Sequence, residues 1–365
     1  MTALGLSFVL YELEILKMRH GPDTKKIIAG IVAILLVVAA VFGGTAWFAR
    51  REERQEEKKI RETSESPEDM TFGEDNTVFL NGQLYGFDHR IQTFLFVGTD
   101  NSGDRRSKEG EYAGNMSDFL FLMVLDYTDD SYGCIQIDRN TITDVAMLDG
   151  KGDVLGSRDM QICIAHAYGS DEEMSAENTA SAVRKLLGEL YKIDGYFVMG
   201  MGDIGALNSA VGGIDVTVPQ DMTGVDPAMA KGATIHLDDK QAERFVRSRM
   251  GLEDSTNAAR MTRQTEYMSG VFKKIRSYTK RDPAFGLKLF NILQETSHGT
   301  MTGKDFSRVA QMLLTGEDKG ILRMKGETRE GHILEDGQEH EEFYPEEESI
   351  LEIMTSLYSL VPVEG

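Results

Sequence analysis

The sequence predicts one mixed α/β domain, of the α/β or α+β class, behind a single membrane-spanning helix. Three observations predict it. Two apolar runs of strand length, Thr93–Val97 and Phe119–Leu125, are apolar at successive positions, which suits central strands covered on both faces. Val183, Leu186, Leu187 and Leu190 recur at helical spacing between further strand-like segments. Ahead of these lies an uncharged stretch of 23 residues, 27–49.

As a helix, residues 27–49 would extend about 34 Å, enough for a hydrocarbon core of about 30 Å. Lys25 and Lys26 flank one end, Arg50 and Arg51 the other, and Trp47 sits at an interfacial position. The stretch is longer than the apolar region of a cleaved signal peptide. Residues 1–26 are then an inner tail, with Met18 a candidate start of translation, since residues 1–17 carry an apolar stretch unlike the basic tail that follows. Four Lys and Arg precede the span (17, 19, 25 and 26) and six follow it (50, 51, 54, 58, 59 and 61). That count by itself points to a cytoplasmic C-terminus. Residues 50–88 read as a charged stalk, too poor in large apolar side chains over 50–76 to offset ordering entropy.

The folded domain is expected over 89–360. Cys134–Arg139 reads as a third strand, Ala176–Tyr191 as a helix, and Tyr196–Met199 and Ile214–Pro219 as strands. Helices are expected near 239–249 and 256–278, with shorter elements on to Tyr358. Asp238, with Gln241 three residues on, has the spacing of a capping box. Strands mingled with helices over this length make one domain rather than two.

Composition removes several function classes. With 41% hydrophobic and 27% charged residues, the chain is neither disordered, collagen-like nor a disulfide scaffold. Its 39 Lys and Arg against 60 Asp and Glu give a net charge of −21, which argues against nucleic acid as a partner. Cys134 and Cys163 have no metal-ligand spacing and read as two buried thiols, a single bridge being the alternative. Gly200–Gly205 spells G-x-G-x-x-G, but Gly212–Gly213 cuts the following helix short, so it reads as a turn and not a dinucleotide site. The acidic run from Glu335 to Glu348 lacks the alternating ligands of a calcium loop and reads as a solvated turn before the last helix.

One segment inverts the global charge. Residues 244–263 hold Arg244, Arg247, Arg249, Arg260 and Arg263 against Glu253 and Asp254, a local net of +3. Arg260, Arg263, Gln264 and Tyr267 fall on one helical face. Arginine suits two-pronged recognition of phosphate oxygens, although a surface ion-pair patch fits the same residues equally.

The order of the segments resembles the LytR-CpsA-Psr (LCP) family of cell-wall glycopolymer ligases. The resemblance runs from Thr93 to Tyr358 and is carried by Phe94–Asp100, Ser117-Asp118, Arg139–Thr141, Ala165–Gly169, Ile193–Phe197, Gly212–Val216, His236–Asp238, Gln241-Ala242, Arg247–Arg249 and Arg260–Gln264. It implies an α/β domain with a central mixed sheet and helices on both sides, enclosing a polyprenyl chain. It further implies Arg139, Arg247, Arg249 and Arg260 as the pyrophosphate grip, with Arg263 and Gln264 beside them, and Asp100 and Asp118 as Mg²⁺ ligands. Asp100, Asp118, Arg139, Arg247 and Arg249 are the residues expected to carry catalysis. The implied reaction moves a glycopolymer from a polyprenyl-pyrophosphate carrier to a peptidoglycan hydroxyl, outside the cell membrane; the Lys and Arg count then yields, because long domains translocate despite local charge. The apolar strands and the helix at 183–190 are candidates to line the lipid tunnel, beside ordinary core packing.

Three positions depart from the pattern. Met116 and Asn257 stand where the family usually has Arg and Asp, and Asn140 where it has Asp. Arg105 or Arg106 is a candidate replacement for the donor missing at 116. These departures motivate one alternative, a lipid-pyrophosphate-binding protein without transferase activity; a lipid-pyrophosphate pyrophosphatase, with water in place of the sugar hydroxyl, is a further alternative.

Overall fold

The structure is a computed structural model that describes residues 76–100, 115–249 and 251–363, with two short strands at 105–106 and 112–113. The expected inner tail, membrane span and stalk residues 50–75 lie outside the described residues, as do the side chains of Arg105 and Arg106. Among the described residues no helix is long and apolar enough to cross a membrane.

The chain opens with a hairpin, β1 (Thr77–Leu80) and β2 (Gln83–Gly86), and enters the long strand β3 (Ile91–Thr99). The pair β4 (Arg105–Arg106) and β5 (Tyr112–Ala113) precedes β6 (Ser117–Asp126) and β7 (Ser131–Ile137). A second hairpin, β8 (Ile142–Leu148) and β9 (Val154–Gln161), leads through a 3-10 turn at Ile162–Ala167 into α1 (Glu172–Leu186). Strand β10 (Gly195–Gly200), the short α2 (Ile204–Ala210), β11 (Ile214–Thr217) and β12 (Thr234–Leu237) come next. Then follow α3 (Asp239–Arg247), α4 (Asn257–Arg281), α5 (Phe285–Leu293), β13 (Ser297–Gly299) and α6 (Gly303–Thr315). The chain ends with β14 (Glu317–Leu322), the hairpin β15 (Gly326–Gly331) and β16 (His340–Pro345), α7 (Glu347–Tyr358) and β17 (Val361–Pro362).

Six strands form the central sheet in the order β13-β10-β3-β6-β7-β14. It is mixed: β10 runs parallel to β3 and β14 to β7, while the remaining neighbours are antiparallel. The uninterrupted apolar runs follow from burial of both faces. Leu95, Leu120, Leu122, Val124 and Ile135 point into a core closed by α1 and α7, through Val183, Ile353 and Leu357. Their sequence neighbours Phe94, Phe121, Met123 and Cys134 point into a second core, closed by α3 to α6 through Phe245, Val271, Leu289 and Phe306. Helices therefore cover both sides, as expected. Full burial of a side chain such as Phe121 or Leu122 contributes about 1.5–3 kcal/mol.

Several boundaries differ from expectation. The hairpin β1–β2 falls within the segment expected as stalk, yet it is folded: Val78 and Leu80 are buried and β17 pairs with β2. The helix expected over 176–191 begins earlier, capped by Asp171 on the Met174 amide, and stops at Leu186. Gly188 at φ +83° ends it in a left-handed conformation that suits glycine. Leu187 and Leu190 still reach the core, from outside the helix. Asp238 and Gln241 form the expected capping box of α3. After Gly200 a 3-10 turn and the seven-residue α2 take the place of a dinucleotide-binding helix, as read from the glycines at 212 and 213.

Candidate active site

Strands β3 and β7 end, and β6 begins, on the same side as the start of α4, and this convergence assembles a charged cluster. Asp118, the second residue of β6, lies with Oδ1 at 2.7 Å from an Arg139 Nη and 3.4 Å from an Arg260 Nη. Arg139 follows the end of β7, and Arg260 stands one turn into α4, whose N-terminus is capped by the Thr256 hydroxyl on the Ala259 amide. Asp100, just beyond β3, is held beside β6 by its amide, which donates to the Met116 carbonyl. Its Oδ1 is buried without a hydrogen-bond partner among the described residues.

Arg139 is held on both sides. One Nη donates to Cys163 Sγ at 3.2 Å and to Met116 Sδ at 3.3 Å, weak acceptors that orient the group without neutralising it. Burial works against its charge, but the Cys163 sulfur and the Asp118 carboxylate outweigh that and raise its pKa. Arg260 is 4% exposed. Burial lowers its pKa, Asp118 opposes the drop, and the nearby charges of Arg139 and Arg249 add to it. Arg139 and Arg260 share the Asp118 carboxylate, and with Arg249 nearby they supply the guanidinium donors that a polyvalent anion requires.

A hydrogen-bonded chain extends from this cluster. Arg260 donates to Asn257 Oδ1 at 2.5 Å, and Asn257 Nδ2 donates to Asp138 Oδ1 at 2.7 Å. Asp138 also accepts the Asn140 amide at 2.8 Å, and Asn140 Nδ2 donates to Glu341 Oε1 at 2.6 Å. Burial raises the Asp138 pKa, while Asn140, Asn257 and the two arginines act to lower it.

Immediately behind the cluster lies a cavity of about 120 Å³. Apart from Gln264 and the Tyr267 hydroxyl its described lining is apolar, including Phe96, Phe121, Met199, Met268, Phe272 and Phe306. Three of its walls run straight into the charged site: Gly98 precedes Asp100 on β3, Phe119 follows Asp118 on β6, and Gln264 is one turn beyond Arg260 on α4. Glycine is required at 98, because a Cβ there would come within 2.8 Å of Met201 Sδ and 2.9 Å of Phe119 Cβ.

The LytR_cpsA_psr family model matches residues 50–357. The chain belongs to the LytR-CpsA-Psr family. No curated protein matches it by sequence. TagV of Bacillus subtilis has a similar structure, at 21% identity and TM-score 0.56, over 74% of this chain and 96% of that one. Protein gbs0355 of Streptococcus agalactiae is similar at 19% identity and TM-score 0.57, over 74% and 87% of the two chains. TagT bound to LI-WTA is similar at 15% identity and TM-score 0.51, over 73% and 90%. At these identities the likeness shows a shared mixed α/β fold, and family membership implies a transferase of cell-wall glycopolymers.

Among the residues expected for an LCP site, Asp100, Asp118, Arg139 and Arg260 come together. Arg247 joins them through an Nη that donates to the Asp100 carbonyl at 3.2 Å, and also pairs with Glu243 at 2.6 Å. Arg249 is half-buried and donates to the Ser255 carbonyl at 3.2 Å. Arg263 departs from its expected place in the pyrophosphate grip. It is 1% exposed and donates to the main-chain carbonyls of Phe245 and Ser248, joining α4 to the end of α3. Burial, with the Arg260 charge, lowers its pKa to about 10. Gln264 is buried against Gln136 and turned to the cavity. Residues 183–190 belong to the opposite core, so the helix offered as a tunnel wall packs as ordinary core.

The structure adds residues that sequence reasoning missed. Cys134 and Cys163 are free and buried, as read from the sequence, but the contact of Cys163 with Arg139 was not foreseen. Asp138 adjoins Arg139 in sequence, a signal available but not used. Arg323, just after β14, donates to Gln136, Thr262 and Thr265 beside the site, far in sequence from the arginine block. The acidic run is not simply a solvated turn. Glu342 is 2% exposed and accepts the Tyr344 hydroxyl and the Ile333 amide, and Glu341 reaches Asn140.

Proposed function

We propose that this protein is a membrane-anchored phosphotransferase that moves a glycopolymer from a polyprenyl-pyrophosphate carrier to a hydroxyl of peptidoglycan. The observation that carries the reading is the continuity of the apolar cavity with the arginine–aspartate cluster, through Gly98 to Asp100, Phe119 to Asp118 and Gln264 to Arg260. A lipid pyrophosphate has the same polarity profile, an apolar chain joined to a polyanion. TagT bound to LI-WTA, on a similar fold, supports a glycopolymer as the cargo.

In this reading the polyprenyl chain occupies the cavity and Arg139, Arg247, Arg249 and Arg260 receive the pyrophosphate. The acceptor hydroxyl attacks the phosphorus that carries the glycan. A new phosphodiester forms, the bond between the two phosphates breaks, and polyprenyl phosphate leaves, the proton of the hydroxyl going to the leaving phosphate or to water. Most of the catalysis in such a step is positioning and charge neutralisation. Asp100 and Asp118 are the residues that would hold Mg²⁺. The unpartnered, buried Asp100 Oδ1 fits that role, since Mg²⁺ takes one or two carboxylates and completes its shell with phosphate oxygens and water. When bound, the ion would neutralise charge on the pyrophosphate. The domain acts outside the cell membrane, behind the anchor at 27–49.

The test is turnover by the full-length chain, supplied with a lipid-pyrophosphate oligosaccharide, Mg²⁺ and peptidoglycan. Glycan linked to peptidoglycan is the expected product. Intact, retained lipid would replace this reading with a binding protein, and free phosphorylated sugar would replace it with a pyrophosphatase. Protease treatment of intact cells tests the location: a protected domain would sink the extracytoplasmic assignment.

A further inference from the structure

The hairpin β15–β16 is docked onto the segment that follows Arg139. The Phe343 amide donates to the Asn140 carbonyl at 2.9 Å, and Thr141 pairs with Phe343 in an isolated parallel bridge. Gln161 Nε2 donates to the Glu341 carbonyl at 2.6 Å. These main-chain ties set the register that brings Glu341 Oε1 to 2.6 Å from Asn140 Nδ2, across 201 positions of sequence. Asn140 is 5% exposed and Glu341 half-buried, so the pairing is partly shielded from the solvent that weakens most surface contacts.

We propose that Glu341 is a positioning residue of the transfer site, and that it supplies from the C-terminal hairpin the carboxylate absent from position 140. The proposal rests on the transferase reading above. Its physical basis is the requirement for one carboxylate and one amide in this pair. An aspartate at 140 would set two carboxylates at hydrogen-bonding distance, and one of them would have to take up a proton. With Asn140 opposite Glu341 the negative charge is kept, but it has moved to the other partner. Asn140 passes the constraint on. Its main-chain N–H donates to Asp138, whose carboxylate holds Asn257, which in turn accepts from Arg260. Asn257 uses both ends of its side chain in that chain, donating to Asp138 and accepting from Arg260. An aspartate there could do only the second. Asn140, through its side-chain amide to Glu341 and its main-chain N–H to Asp138, and Asn257, through both ends of its side chain, join Glu341 to the guanidinium paired with Asp118.

A four-member cycle tests this: the wild type, Asn140→Asp, Glu341→Gln and the double variant, each as the full-length chain. Melting temperature at pH 8 and the kcat and KM of transfer are the readouts. Asn140→Asp is expected to lower the melting temperature by about 3 °C and kcat about tenfold. Glu341→Gln keeps a hydrogen bond but loses the charge, so its melting temperature holds while kcat falls about tenfold. The double variant restores the charge to position 140 and is expected within about threefold of wild-type kcat, with KM constant throughout. Additive losses in kcat, or wild-type kcat in Glu341→Gln, would overturn the proposal. So would recovery of melting temperature without recovery of kcat, which would reduce the pair to a structural contact. Absence of transfer in the wild type would instead remove the transferase reading, and the melting cycle would still pass or fail the pairing.

Discussion

Asp118 Oδ1 lies 2.7 Å from the Arg139 guanidinium, and the same oxygen is 3.4 Å from Arg260. One carboxylate thus separates two cations that would otherwise repel each other, the second of them almost fully buried. The site depends on this arrangement in both its stability and its chemistry.

Replacement of Asp118 by Ala is therefore expected to act on both. Turnover should fall by more than about 100-fold, as when a preorganised charge is removed from a reacting centre. Stability should fall by about 2 kcal/mol, once the partial exposure of Asp118 is allowed for. Unchanged product formation by mass spectrometry would remove Asp118 from the mechanism.

Arg263 and Arg247 should separate cleanly. Arg263→Met leaves the carbonyls of Phe245 and Ser248 without a buried donor and is expected to cost about 3 kcal/mol in urea unfolding. Arg247 pairs with Glu243 at an exposed surface, so Arg247→Ala should change stability by less than about 0.5 kcal/mol. Its effect should appear as weaker pyrophosphate binding, read by calorimetry with inorganic pyrophosphate and Mg²⁺. A stability loss at 247 equal to that at 263 would contradict the division.

The cavity offers a test of the lipid. Val271 lines it from α4, and Val271→Trp would fill part of its 120 Å³. The expected result is at least about a tenfold loss of affinity for a long-chain polyprenyl pyrophosphate, with overpacking destabilising the fold by about 1–3 kcal/mol. Inorganic pyrophosphate should bind as in the wild type. Equal loss for both ligands would place the lipid elsewhere.

His166 makes stability dependent on pH. Burial lowers its pKa to about 4, although its Nδ1 lies 2.8 Å from the Asn115 carbonyl. Between pH 6.5 and 4 the unfolded chain therefore takes up a proton that the folded state refuses. Stability from this group is full above pH 6.5 and declines as the pH falls toward 4, by about 2–3 kcal/mol at pH 4.5. In urea unfolding, His166→Gln should lose less stability than the wild type between pH 7 and pH 4.5. An equal loss in both would show that other groups dominate acid unfolding.

Local signals carried much of the outcome. The runs at 93–97 and 119–125 became β3 and β6, because a strand covered on two faces must be apolar at every position, and that is visible in a short window. The capping box at Asp238 and the helix that carries Arg260 and Gln264 were legible for the same reason. The hairpin β1–β2 was not, since its burial depends on β17, almost 280 residues further on.

The sequence by itself determined the mixed α/β class, the ordered segments of the family and an arginine-rich block in an acidic chain. Each is a property of residues close together along the chain. Only the tertiary structure decided which of those arginines reach Asp118 and which, like Arg263, hold the backbone. It alone placed the cavity on the α4 face of the sheet instead of the α1 face, and it brought Glu341 to Asn140. These outcomes depend on contacts between elements far apart in sequence, set by the register and packing of the whole sheet, which no local periodicity encodes.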